Sequence, residues 1–153
     1  MTDALNIEIV GIDELRSRIA QAPERYRIIR FEGVNDSLDE LRRSVPPYPP
    51  ELPNQRYIRT EDLGRSLGSG FGGGFQSGTP DIWLVRSQGS AHIGEYGSRV
   101  GYASFVIGEG SQAAIHQGRW WTDVKLIEDA KPRIVRIWAE KLADLARFIG
   151  DGA

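Results

Sequence analysis

A cluster of prolines near the middle of the chain constrains the fold more than any other feature of the sequence. Pro46, Pro47, Pro49, Pro50 and Pro53 follow one another closely. Proline fixes φ and has no backbone N–H, so such a segment forms neither a helix nor a central strand. The sequence therefore predicts an extended, polyproline-like arm at residues 46–55.

Apolar residues at helical spacing predict helices on both sides of this arm. The first is expected over residues 12–19 and to end near Pro23, because proline suits the first position of a new helix. A second helix of about 20 residues then follows, with an interruption at 34–37, where Asn, Asp and Ser can divert the backbone. A final helix is predicted from the capping pair Thr122-Asp123 to about Ile149, kinked or restarted at Pro132.

The predicted strands are short. Residues 6–10 alternate and end at a glycine, and residues 81–86 give the strongest strand pattern in the chain. A turn at 87–90 leads into a return strand that starts at Ala91. Together with the helices, these strands predict an α+β fold, in which a small antiparallel sheet packs against two or three helices, one of them a long C-terminal helix.

Size and composition indicate one domain, residues 1–153, with a single core. The chain has no cysteine, which excludes disulfides and thiolate metal sites, and no apolar run long enough to span a bilayer. No secretory leader is expected, since Met1–Asn6 lacks a basic region followed by an apolar one. The net charge of -2 predicts no specific nucleic-acid binding, although 16 of the 19 cations are arginine.

Candidate chemical motifs are weak. Gly68-x-Gly70-x-x-Gly73 has the letters of a dinucleotide-binding loop, but no strand precedes it and no helix follows, so residues 68–79 are expected to form a flexible loop. His92 and His116 are too far apart in sequence to form a recognised metal pair. The sequence therefore predicts no metal, no cofactor and no catalytic residue.

The segment after the arm, residues 56–66, predicts a short helical turn. Thr60 has the character of an N-cap, acidic residues follow it in the first turn, and Leu63 is expected to face inward. Farther on, Trp120 and Trp121 are adjacent, so on a strand one would be buried and the other available to a partner.

Three blocks of sequence resemble the phage tail-component family typified by the tenth gene product of a lambdoid siphophage. They are the N-terminal strand–turn–helix at 7–15, the Arg-Thr-x-x-Leu-x-x-Ser run at 59–66 and the later block at 101–120 before the last helix. The chain differs from the usual pattern at Glu61, where glycine is common, and at Ser104, where proline is common.

This resemblance implies a structural virion protein, assembled in the host cytoplasm, that forms a six-fold or twelve-fold ring in the head–tail neck as a connector or tail-completion component. Its implied partners are other copies of itself and neighbouring connector, tail terminator or tail tube proteins, with no membrane and no enzymatic activity. The side chains predicted to lie in protein interfaces are Tyr48, Arg56, Arg59, Arg65, Phe71, Phe75 and Trp121.

Two alternatives stay open from the sequence. One is a small non-viral binding module that uses Trp120 and Trp121 as a stacking surface. The other is a small hydrolase with an unrecognised site, in which His92 or His116 would act.

Overall fold

The structure, a computed structural model, describes residues 12–55, 57–69 and 78–150. In chain order its elements are α1 (Ile12–Arg43), α2 (Asp62–Ser66), β1 (Ile82–Gln88), β2 (Ala91–Gly97), α3 (Ala103–Ile107) and α4 (Asp123–Gly150). The α+β prediction is confirmed, including the long C-terminal helix. The strand predicted at residues 6–10 lies outside the described residues.

The first helix is longer than the sequence pattern predicts. α1 is one helix of 32 residues with Pro23 inside it, so the predicted break at Pro23 is wrong. The predicted interruption at 34–37 is also wrong, and the side chains there explain why. Asn35 Nδ2 donates to the carbonyl of Phe31 at 3.0 Å and Ser37 Oγ donates to that of Gly33 at 2.6 Å. Both bonds lie within the helix, so these polar residues follow the helical backbone rather than divert it.

The last helix begins as predicted. The Lys125 backbone N–H donates to Thr122 Oγ1 at 3.2 Å, which is the bond that an N-cap threonine makes. α4 then runs for 28 residues with Pro132 inside it, so the helix does not restart there.

α1 and α4 pack against each other in antiparallel fashion along a seam rich in polar contacts. Lys141 Nζ lies 2.8 Å from Asp36 of α1, and Trp138 Nε1 donates to Ser37 Oγ at 3.1 Å. At the other end of the seam, Arg133 pairs with Glu40. The Trp138 ring covers Gly33 so closely that a Cβ there would lie 2.7 Å from the ring. Glycine at this position is what lets the two helices approach.

The two strands form an antiparallel hairpin in which Ile82 pairs with Gly97 and Gln88 with Ala91. The connection is therefore only two residues long, and Gly89 adopts the left-handed conformation there, with φ of 57°. The predicted hairpin is confirmed with a tighter turn. β2 packs on α1, where Gly94 lies so close to Val34 that a Cβ would come within 2.7 Å of its methyl group.

A separate hydrophobic core lies beside the helix pair. It is formed by the buried residues Leu63, Leu67, Val106, Ile107 and Trp120. α2, α3 and the turns before α4 supply these side chains, and the arm at 46–55 packs over them through Tyr48. We call these segments, residues 46–55, 57–69 and 98–121, the arm region.

None of the helices in the described part of the chain is long and apolar enough to cross a membrane.

Candidate functional site

The arm region encloses an open cleft of about 280 Å³, which we call the arm cleft. Ring-bearing and aliphatic side chains dominate its walls. The lining residues are Tyr48, Tyr57, Ile58, Arg59, Thr60, Glu61, Leu63, Tyr102, Phe105, Val106, Ile115, His116 and Trp120.

Arg59 holds the proline-rich arm in place at one wall of the cleft. Its Nη1 donates to the Pro49 carbonyl at 2.6 Å and its Nη2 to the Pro50 carbonyl at 3.3 Å. The guanidinium carbon also lies 5.5 Å from the centre of the Trp120 ring, within the range of a cation–π contact. Proline-rich backbone has carbonyls but few N–H groups, so an arginine fork satisfies it well.

Tyr48 joins the arm to α2 and to the core. Its hydroxyl accepts a 2.6 Å hydrogen bond from the backbone N–H of Gly64, and its ring lies 4.9 Å from that of Trp120. Tyr48 was predicted to meet another protein, and the structure places its ring in the cleft wall while its hydroxyl is used within the chain.

The rim of the cleft is apolar and exposed. Ile58 is 90% exposed, Ile115 59%, Phe105 57% and Tyr102 41%. Single exposed apolar residues are common on protein surfaces, but contiguous groups of them mark interaction sites. The rim belongs to the second kind, because all four residues line one cleft.

Polar atoms without partners lie among the apolar walls. Within the described residues, Tyr57 Oη, His116 Nδ1 and Trp120 Nε1 are buried and have no hydrogen-bond partner. Burial and the nearby charges of Arg119 and Arg59 lower the pKa of His116. The indole N–H of Trp120 can only donate. The cleft therefore has an unused donor among its apolar walls, and it suits an occupant that brings an acceptor.

Glu61 lies at the lip of the cleft in the left-handed conformation, with φ of 63°. It precedes α2 and makes no side-chain capping bond, so the prediction that Thr60 is the N-cap is wrong. The Thr60 hydroxyl instead lies 3.0 Å from the Tyr102 hydroxyl, across the cleft. Because Glu61 is left-handed, it cannot belong to the helix, and α2 therefore starts later than predicted, at Asp62. Leu63 is 2% exposed, as predicted.

The other predicted interface residues are scattered. Arg65 is exposed and pairs with Asp62 at 2.5 Å within the same helical turn. Trp121 is half-buried and lines a second cavity on the far side of α3, not the arm cleft. The prediction that Trp120 and Trp121 lie on a strand is wrong, because both precede α4 in irregular structure. Arg56, Phe71, Phe75 and most of the predicted loop at 68–79 lie outside the described residues.

Arg59 is also a predicted interface residue. Its side chain is only 10% exposed and bonds the arm of its own chain. Its influence on any interface is therefore through the position of the arm.

The two histidines are in different surroundings. His92 lies on the hairpin, where its Nδ1 is 3.0 Å from Ser87 Oγ and its ring contacts Phe31 edge-on. A serine–histidine contact can activate a nucleophile when a third group orients the histidine. The remaining nitrogen, Nε2, has no partner within the described residues. In that same part of the chain no group of three or more His, Cys, Asp or Glu residues could hold a metal ion.

Sequence reasoning missed most of the cleft wall. Ile58, Tyr102, Phe105 and Ile115 come from three separate segments. One signal could have found them. They are large apolar residues in segments without helical or strand periodicity, so no helix or strand face in the sequence pattern accounts for them.

Comparison with protein-family models, with curated proteins and with solved structures gives no match for this chain.

Proposed function

We propose that this chain is a structural virion protein of a tailed phage, which forms a ring in the head–tail neck and joins the head-side connector to the tail. The proposal combines the resemblance of the blocks at 7–15, 59–66 and 101–120 with one observation. That observation is the exposed apolar rim of the arm cleft, three of whose four residues lie in the block at 101–120.

The open shape of the cleft favours an assembly contact over an enclosed ligand site. Pockets for small molecules usually measure about 300–1,000 Å³ and enclose most of the ligand. The arm cleft, at about 280 Å³, is close to this range in volume, but it is open, and Ile58 at its rim is 90% exposed. A cleft of this kind suits one or two side chains of a neighbouring protein, with the rim covering the surrounding surface.

The architecture is compatible with this role. An arm fastened by Arg59 and Tyr48 gives the cleft a fixed wall. A pre-formed site of this kind lowers the entropy lost when a neighbouring subunit binds.

The proposal is tested by deleting the gene from the phage genome that encodes it. We expect filled heads and complete tails to accumulate separately, and wild-type protein supplied in trans to restore joined, infectious particles. Normal particles assembled without the protein would contradict the proposal.

Matched variants connect this test to the cleft. Phe105→Glu places a charge on the exposed rim and is expected to fail in the complementation assay. Ile19→Glu is the control, because Ile19 is 54% exposed, close to the 57% of Phe105, and lies near the start of α1. If both variants failed equally in the complementation assay, the cleft rim would have no specific role in assembly.

A further inference from the structure

In the described part of the chain, the sheet consists of the hairpin alone, and both of its outer edges are open. In an antiparallel pair, every second residue of a strand directs its backbone N–H and C=O away from the partner strand. Among the described residues, no other backbone group bonds to those directed outward from either strand. Unpaired strand edges of this kind are templates for a further strand.

β1 is the more accessible of the two strands. Four of its seven residues are exposed, against two of the seven in β2. The Tyr96 hydroxyl ties β2 to the arm region, because it donates to the Leu67 carbonyl at 2.8 Å. Val85 lies opposite Gly94 on the face that packs on α1, so its neighbour Leu84 lies on the other face, where it is 45% exposed. We call the side of β1 away from β2 the β1 edge.

The chain itself contains a segment suited to this edge. Residues 6–10 alternate and end at a glycine, which is the sequence pattern of a short strand. A strand satisfies none of its backbone groups within itself, so it needs an edge with which to pair. The segment leads directly into α1, which begins at Ile12, and this connection limits how far it can reach.

The hairpin of the same copy is out of reach of this segment. The hairpin lies beside α1 from Phe31, whose ring contacts His92, to Arg42, whose guanidinium carbon lies 5.6 Å from the centre of the Trp83 ring. Phe31 follows the first residue of α1 by 19 residues, which is about 28 Å along a helix. An extended chain from the start of α1 back to residue 6 spans only about 20 Å. The far end of the segment therefore falls about 8 Å short of the hairpin, and its other residues fall farther short.

We propose that residues 6–10 of one copy pair with the β1 edge of the next copy and add a third strand to its sheet. Main-chain hydrogen bonds give such strand addition its affinity. Each copy donates one strand and receives one, so the contact is head-to-tail, and repeated copies close into a ring or continue as a filament. This contact rests on the proposed ring function and specifies the two surfaces that join the copies.

Cross-linking between single cysteines tests the contact, because the chain has no cysteine of its own. Purified full-length Ile9→Cys and Leu84→Cys proteins are mixed and treated with a short bis-maleimide, and a C-terminal tag on one of them distinguishes mixed dimers by mass. We expect mixed dimers to form at least about tenfold faster than with Leu142→Cys in place of Leu84→Cys, because strand pairing raises the effective concentration of the two thiols. Leu142 is the matched control, at 48% exposure against 45% for Leu84. Equal rates in the two mixtures would overturn the proposal.

Other occupants of the β1 edge would give different products. The double variant Ile9→Cys/Leu84→Cys is expected to give a ladder of covalent multimers. A cross-linked monomer would instead place the segment on its own hairpin. Faster linking of two Leu84→Cys chains than of the mixed pair would place a second β1 at the edge. Either result would contradict the proposal.

Proline in the donated segment tests whether the contact is a strand pairing. Proline cannot donate to a strand ladder, whereas threonine favours strands. Because alternate residues bond to the edge, one of two adjacent prolines must remove a ladder bond. In the Ile9→Cys background, Ile7→Pro/Glu8→Pro is expected to reduce the rate of mixed-dimer formation to that of the Leu142→Cys control, while Ile7→Thr/Glu8→Thr keeps it high. If the two pairs of substitutions gave the same rate, the contact would not be a strand addition.

The gene-deletion experiment tests the neck function separately. If cross-linking failed while the deletion still left heads and tails unjoined, the neck function would stand and strand exchange would be ruled out. If cross-linking succeeded while particles assembled normally without the protein, the contact would stand and the neck function would be ruled out.

Discussion

The helix pair and the arm region are stabilised in different ways. α1 and α4 meet along regular helical faces, where side chains such as Lys141, Asp36 and Ser37 pair across the seam. The arm region has little regular structure, and its segments are joined by single side chains, chiefly Arg59 and Tyr48. A helical seam distributes stability over many similar contacts. The arm region concentrates it in a few, and that concentration leaves a cleft with an exposed rim.

The largest expected effect is at Arg59, because the stability of the arm region depends on a few side chains and Arg59 is the chief one. Arg59→Ala removes the donors for the Pro49 and Pro50 carbonyls and the contact with the Trp120 ring. We expect a loss of about 3 kcal/mol in the free energy of unfolding, since hydrogen bonds to charged groups contribute about 1.5–3 kcal/mol and packing is lost as well. Urea unfolding measures this loss, and limited proteolysis should show cleavage in the arm before α1 or α4.

Arg59→Lys sharpens the same test. An ammonium group carries the charge but lacks the planar fork that reaches two carbonyls, so it should recover less than half of the loss. Full recovery with lysine would mean that charge alone, and not the fork, fastens the arm. The control is Arg136→Ala, whose side chain is 71% exposed on α4 and which should change stability by less than about 0.5 kcal/mol.

The next effect tests the helix pair at Gly33. A Cβ at this position would lie 2.7 to 2.9 Å from three atoms of the Trp138 ring. Overpacking usually costs about 1–3 kcal/mol, while replacing glycine by alanine inside a helix gains at most about 1 kcal/mol. We therefore expect Gly33→Ala to destabilise the protein by about 1–2 kcal/mol in urea unfolding.

The destabilisation by Gly33→Ala is also expected to be local. Because the clash is confined to the seam, amide hydrogen exchange in α1 and α4 should accelerate. The Gly64 amide, which donates to the Tyr48 hydroxyl, should stay protected. A stabilised Gly33→Ala protein would show that the Trp138 ring can move away without loss. The glycine would then have no packing role.

The same contrast explains how much could be predicted from the sequence. Apolar periodicity and the Thr122 cap were enough to predict α4, and alternation with a glycine turn was enough for the hairpin. The errors at Pro23, Asn35 and Ser37 arose because local rules treat these residues as breaks. In α1, Asn35 and Ser37 bond to carbonyls of their own helix.

The arm cleft could not be predicted in this way. Ile58, Phe105 and Ile115 come together through tertiary contacts, in segments where neither period 2 nor period 3.6 applies. The one local clue, the cap expected at Thr60, was misleading, since Glu61 is left-handed and the Thr60 hydroxyl lies beside that of Tyr102, distant in sequence. Tertiary contacts therefore decided the shape of the cleft.

The smallest expected effect is the pH dependence that His116 contributes to the arm region. Burial, Arg119 and Arg59 lower the pKa of His116 in the folded protein, whereas an unfolded histidine has a pKa of about 6.5. As the pH falls through about 6.5, the unfolded chain takes up a proton before the folded one does, which favours unfolding. The contribution of His116 to stability is therefore fully present above pH 7. It decreases as the pH falls, until the folded histidine is protonated as well.

The measurement compares wild-type protein with His116→Gln, which occupies similar space but does not titrate. Urea unfolding at pH 8 and pH 5 gives the stability difference between the two proteins, and this comparison cancels the titration of the acidic residues. We expect the wild-type protein to lose more stability than the variant between pH 8 and pH 5. A wild-type protein that gained relative to the variant in acid would mean that His116 is stabilised as a cation, which would argue for an acidic group beside it in place of the positive surroundings that Arg119 and Arg59 create.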